Sequence, residues 1–183
     1  VTALLITPFV QLYTKDIVDT DYNQPLFGFL LVLAEALYLI KLPHLNLAYS
    51  ANKFKEITVP AYIEAMLNIM ISVALVTWNG LIGVTIGTIV GMTYRMVFHV
   101  YYTSKIVPGR AQCIFYRKLF LFAAGAGGGF VFCYKLLPLQ TVTVGSWIVN
   151  AIFYCVVMGA ILLAISILFF QNEMKFFWKY VKR

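Results

Sequence analysis

The sequence predicts an all-α fold, a polytopic bundle of six transmembrane helices with the first one truncated, and three observations carry that prediction. The 183 residues are 62% hydrophobic and only 11% charged, whereas a soluble domain is about 45–50% apolar and about 25% charged. So little polar surface cannot cover a water-exposed particle, and lipid must be the main solvent. After the first helix come apolar runs of the length needed to cross about 30 Å of hydrocarbon at about 1.5 Å per residue. The segments between them are short, which leaves no room for a soluble domain.

The elements follow in order. The run 1–13 supplies only part of a span of about 20 residues, so the first helix is expected to have lost its beginning. Helices are predicted near 25–48, 59–78, 81–104, 119–137 and 144–170, followed by a basic tail, 171–183. Their separators carry turn chemistry or charge: Tyr22-Asn23-Gln24-Pro25, Asn52-Lys53-Phe54-Lys55, Asn79-Gly80, Pro108-Gly109-Arg110 and Pro138.

The formal charge of +7 is best read through topology, because the basic residues gather in the short loops. One side collects Lys53, Lys55, Lys105, Arg110, Arg117, Lys118, Lys175, Lys179, Lys182 and Arg183, against only Lys15 and Lys135 on the other. That asymmetry predicts a multi-pass protein whose first side and C-terminus are cytoplasmic. Asp16, Asp19 and Asp21 fall in the first outer loop. Trp78, Trp147 and Trp178 lie near predicted helix ends, as interfacial anchors should. The tail interleaves four basic residues with Phe176, Phe177, Trp178 and Tyr180. That mixture suits a surface-lying extension drawn to anionic headgroups, and membrane anchoring explains it without nucleic acid. Cys113, Cys133 and Cys155 show no CxxC or zinc-ligand spacing, and cysteine in an apolar run behaves as a small hydrophobe.

Polar residues at membrane depth are the first candidates for function. Glu35, Lys41, His44, Asn46, Glu64, Asn68, Arg95 and His99 fall within or near the spans. A central Arg, Lys or Asp costs at least about 2.5–3.5 kcal/mol to insert, so such residues pair or face a wet cavity. Counting from the cytoplasmic helix ends puts Lys41, Arg95 and Glu64 in the inner third of the membrane, where a network among them is geometrically possible. Glu35 lies nearer the midplane and is a further candidate to join it. Gly83, Gly87, Gly91 and Arg95 recur at i+4, a stripe that drifts by about 40° per step but stays broadly on one face. Glycines admit close backbone approach, so Arg95 is expected to point at protein or a cavity. Glu64, Asn68 and Ser72 repeat the spacing on the preceding helix. The two stripes are either walls of an internal passage or a hydrogen-bonded helix seam. Pro43 removes a backbone donor inside its helix, as a static kink or a hinge. The run from Ala123 to Gly129 reads as a small-residue packing face. His44 and His99 are not at metal-ligand spacing with a carboxylate, and polar packing is the expectation. No metal or cofactor is called for.

Several ordered motifs together resemble a known family. They are Pro8-Phe9-Val10-Gln11-Leu12-Tyr13-Thr14 followed by Asp21-Tyr22, then Ile40-Lys41-Leu42-Pro43 and Ala51-Asn52-Lys53-Phe54-Lys55. Ile63-Glu64-Ala65-Met66-Leu67-Asn68-Ile69 and the segment Gly80 to Thr88 complete the series. Each is degenerate; their order and spacing resemble the polysaccharide-export flippases. The likeness is to the O-antigen translocase (Wzx-like) branch of the superfamily that also holds multidrug extruders. The resemblance implies two six-helix lobes around a central cavity, with this chain as the second, C-terminal lobe and the N-terminal lobe missing. It implies alternating-access export of a lipid-linked oligosaccharide diphosphate. Lys41, Arg95, Glu35, Glu64 and Asn68 would then be cavity-lining candidates, and Pro43, Gly83, Gly87 and Gly91 hinge or packing positions.

The cations suit that chemistry physically. A dianionic headgroup entering a low-dielectric cavity needs positive charge to offset its desolvation, and Arg grips phosphate oxygens at two points. A drug or ion antiporter of the same superfamily would instead use Glu35 or Glu64 as a cation or proton site. A membrane-embedded sugar polymerase or acyltransferase needs acid/base groups gathered at one face, and the short outer loops hold no His. A structural partner subunit is the remaining reading.

Overall fold

A computed structural model of the chain describes residues 1–15, 17, 22–107, 112–136 and 143–171. The described residues form helices. They are α1 (Thr2–Tyr13), α2 (Pro25–Ser50), α3 (Phe54–Ile106), α4 (Gln112–Leu136) and α5 (Val144–Phe169). Four of them are long and apolar enough to cross a membrane, the architecture of a helical multi-pass membrane protein. The loop aspartates Asp16, Asp19 and Asp21, the turns at Pro108-Gly109-Arg110 and Pro138, and the aromatic-basic tail from Asn172 onward lie outside the described residues.

At 53 residues, α3 is about 80 Å long if straight, more than twice the hydrocarbon thickness. It is not straight. Gly80 has φ 52° and ψ −130°, a conformation open essentially to glycine alone, and the helix breaks there into two arms. The break falls in the Asn79-Gly80 separator read from the sequence. The first arm begins at Phe54 rather than near Val59, because the turn before Pro60 stays helical even though Pro60 donates no hydrogen bond. Similarly, α4 starts at Gln112 instead of near Leu119.

The helices divide into two compact units, one holding α2 and α3 (24–112) and the other α1, α4 and α5. In the α2–α3 unit the two helices are joined by a tight turn. Asn52 takes a left-handed conformation, φ 60°, which Asn tolerates better than other side-chain-bearing residues. Asn52 N donates to Tyr49 O (2.9 Å) and Lys53 N donates to Ala48 O (3.1 Å). That is the paired pattern of a Schellman cap, which satisfies carbonyls a helix end leaves open. Beneath the turn, Leu45, Ala48 and Ile57 pack with Tyr102 and Ile106. The start of the first arm and the end of the second thereby meet the end of α2.

The two arms of α3 run antiparallel and very close together. A Cβ added at Gly83 would lie 2.5 Å from Leu75 O, one at Gly87 2.8 Å from Ser72 N, and one at Gly91 2.9 Å from Glu64 O. Ser72 Oγ donates to Asn68 Oδ1 (2.9 Å) and to Val84 O (3.2 Å), and Thr88 Oγ1 donates to Asn68 Oδ1 (3.4 Å). The glycine stripe and the Glu64/Asn68/Ser72 stripe therefore face one another. They form a seam and are not opposite walls of a passage. Outside the seam, Tyr62, Met66, Ile69, Met70 and Val73 are exposed. Polar residues inside and apolar residues outside invert the pattern of a soluble helix and match a lipid solvent.

In the other unit, Leu5 of α1, Cys133 of α4 and Tyr154 of α5 form a buried cluster. Trp147 Nε1 donates to Leu5 O (3.2 Å), so this indole is tied to a neighbouring helix. Gly129 brings α4 against Met158 and Ile161 of α5, and Gly125 brings it against Ile165. Thr143 and Ser146 make a reciprocal capping box at the start of α5. Cys113 and Cys155 are exposed free thiols.

Three alanine substitutions separate backbone strain from packing. Gly80→Ala meets no atom but forces a side chain into the positive-φ region, and should cost about 1–3 kcal/mol. Gly87→Ala must push the arms apart, with a cost of about 1–3 kcal/mol for overpacking. Gly127→Ala meets open space in α4 and should be neutral or stabilising by up to about 1 kcal/mol. Thermal unfolding of the detergent-solubilised variants checks the order; equal melting temperatures for all three would contradict the seam.

Candidate functional site

The site lies at the end of the α3 seam remote from Gly80. Helix α2 begins on Pro25 at its first position, where a missing N–H costs nothing. It runs unbroken through Pro43, and Ala34, Lys41, His44, Leu45 and Ala48 are all buried. Lys41 and His44 therefore sit one turn apart on the face that packs against α3.

Glu64, on the first arm of α3, is the centre of the site. Lys41 Nζ on α2 lies 3.4 Å from Glu64 Oε1, and Arg95 Nη1 on the second arm donates to Glu64 Oε2. Three helical segments thus converge on one carboxylate. Lys41 is 3% exposed, Glu64 15% and Arg95 18%. Lys41 Nζ also sits 4.8 Å from the centre of the Tyr38 ring, whose face carries partial negative charge. The formal charges sum to +1, so one carboxylate serves two cations.

A second polar layer continues from Arg95 toward the turn joining α2 and α3. His99 Nδ1 bonds Arg95 O (2.8 Å), Thr103 Oγ1 donates to His99 O (2.8 Å), and His44 Nδ1 meets Thr103 Oγ1 (2.8 Å). His99 and Thr103 are fully buried. Among the described residues, Arg95 Nε and His99 Nε2 are buried with no hydrogen-bond partner. No group of His, Cys, Asp and Glu among the described residues gathers to hold a metal.

The structure brings together Lys41, Glu64 and Arg95 from the sequence-derived candidates. It places Asn68 one turn away in the seam, bonded to Ser72 and Thr88. Gly83, Gly87 and Gly91 act as packing positions that let the arms approach. Glu35 does not join: it is exposed on α2. Thr103 and Tyr38 are not among the sequence-derived candidates, and His99 packs through hydrogen bonds to Arg95 O and from Thr103. A signal for two of them was present, because the i+4 series 83, 87, 91, 95 continues through His99 to Thr103. At about 40° of drift per step, the series rotates away from the first arm and toward α2, where Thr103 meets His44.

No protein-family model matches the chain, and no curated protein or solved structure does either.

The triad makes unequal demands on its members. Glu64→Ala strands the buried Lys41 and the half-buried Arg95 and should destabilise the protein by up to about 3–5 kcal/mol, the cost of breaking a buried pair from one side. Lys41→Met leaves a neutral Glu64–Arg95 pair and an apolar side chain of similar length, and should cost far less. Unfolding midpoints in one detergent give the ranking; equal losses would show that Lys41 and Glu64 are not coupled.

Proposed function

We propose that this chain is the second six-helix lobe of a membrane flippase, exporting a lipid-linked oligosaccharide diphosphate by alternating access for surface polysaccharide assembly. The observation that carries the reading is the convergence of Lys41 and Arg95 on a single carboxylate at membrane depth. A purely structural seam needs one neutral ion pair. A second, partly desolvated cation adds to the desolvation cost, and that cost has a use if an anion completes the balance. The diphosphate of the cargo supplies such an anion, with Arg95 holding phosphate oxygens and Lys41 acting as a compact charge.

Two further features support the reading. Glu35 is exposed on a helix of spanning length, and a carboxylate there requires a protein or aqueous neighbour rather than lipid. An N-terminal lobe facing this one across a hydrophilic cavity would provide it. The excess of loop Lys and Arg on one side supports a cytoplasmic C-terminus and a cytoplasmic Lys41/Glu64/Arg95 end, the side on which the cargo would be loaded.

The alternative of a drug or ion antiporter needs a carboxylate free to exchange cations. Glu64 is held between two cations and is ill suited to that role, which leaves Glu35.

In the intact transporter, Lys41→Ala and Arg95→Ala should each abolish export while the protein still inserts. Arg95→Lys, which keeps charge without the two-point grip, should fall between. Surface polysaccharide and membrane-fraction protein level are the paired measurements. Normal polysaccharide in both alanine variants would overturn the assignment. Collapse of drug efflux with an ionophore, blocked by Glu35→Gln, would favour the antiporter.

A further inference from the structure

We infer that His99 is a proton-binding member of the anion site, so that seating a phosphate-bearing headgroup at Lys41 and Arg95 takes up one proton on His99 Nε2. The inference rests on the anion-binding reading above. It begins from a hydrogen-bond constraint. A backbone carbonyl only accepts, so the 2.8 Å contact between His99 Nδ1 and Arg95 O places a proton on Nδ1. In the neutral ring Nε2 is then a bare acceptor, and among the described residues it is buried without a partner, as is the Arg95 Nε–H donor one turn earlier.

The surroundings decide what answers those two atoms. The charged and titratable groups packed near the ring are Lys41 and His44 on α2, Glu64 on the first arm and Arg95 on its own arm. Burial acts on the imidazole most strongly, followed by the bond to the Arg95 carbonyl and the charges of Arg95, Lys41 and Glu64. His44 is turned to Thr103. Without a ligand, a proton on Nε2 would add a further positive charge to a cluster that already carries +1. A phosphate oxygen reverses the balance: it accepts from Arg95 Nε–H, is repelled by a bare Nε2 lone pair, and is bound by an Nε2–H. Anion and proton therefore favour each other at this position.

The test uses a farnesyl diphosphate-linked monosaccharide, whose two charges do not change between about pH 5.5 and pH 8. It is titrated into the full-length protein in lipid nanodiscs. Wild-type affinity should rise as pH falls, by up to about tenfold per unit for a single linked proton. His99→Gln, whose amide donates a hydrogen bond at every pH, should bind with a flat profile, while His44→Gln keeps the slope. In wild type, the His99 Nε2 nitrogen resonance should move from the unprotonated to the protonated position on ligand addition, a readout independent of whether the variants fold. A slope that survives in His99→Gln, or an unmoved resonance in the saturated wild type, overturns this inference and leaves the flippase reading intact. Wild-type binding no tighter than that of the Lys41→Ala/Arg95→Ala double variant overturns both.

Discussion

Within a hydrocarbon slab a charge must be compensated by protein, and the fold of the α2–α3 unit follows from meeting that demand at Glu64. The carboxylate on the first arm of α3 needs Arg95 on the second and Lys41 on α2. Each partner is delivered by a separate local device. The glycines at 83, 87 and 91 let the arms approach until the guanidinium reaches across. Asn52 in its left-handed conformation turns the chain sharply enough for α2 to pack back along α3. Gly80 allows the reversal that creates two arms from one helix.

Lipid changes which forces can hold such a hairpin together. No hydrophobic gain accompanies helix association when the solvent is itself apolar, so close van der Waals contact and interhelical hydrogen bonds must serve. The α3 seam has both, in its glycines and in the Asn68, Ser72 and Thr88 bonds. The α1/α4/α5 unit relies mainly on the first, with Gly125 and Gly129 under the isoleucines and Met158 of α5. Its indole bond from Trp147 to Leu5 O shows a predicted interfacial anchor serving as a cross-helix tie as well.

The ionic site is asymmetric in a way that packing alone does not require. Two cations share one carboxylate, and two buried nitrogens, Arg95 Nε and His99 Nε2, have no bonding partner among the described residues. A seam selected only for stability would use fewer charges, because each desolvated ion costs several kcal/mol before pairing returns any of it. Residual positive charge together with unspent hydrogen-bonding capacity suits a place where an anionic group binds and leaves.

The sequence by itself determined that the chain is helical, with several helices long and apolar enough to cross a membrane. Apolar content and run length are one-dimensional quantities, and the bilayer thickness turns them directly into spans. It also identified Lys41, Glu64 and Arg95, because an ionisable residue inside an apolar run is conspicuous wherever the helix packs. It did not reveal that the glycine and Glu64/Asn68/Ser72 stripes touch one another, that Glu35 stands apart, or that His99 and Thr103 extend the site. Those facts depend on the rotation and pairing of helices. Periodicity describes a face without naming the neighbour that face will meet, so only the tertiary structure could settle them.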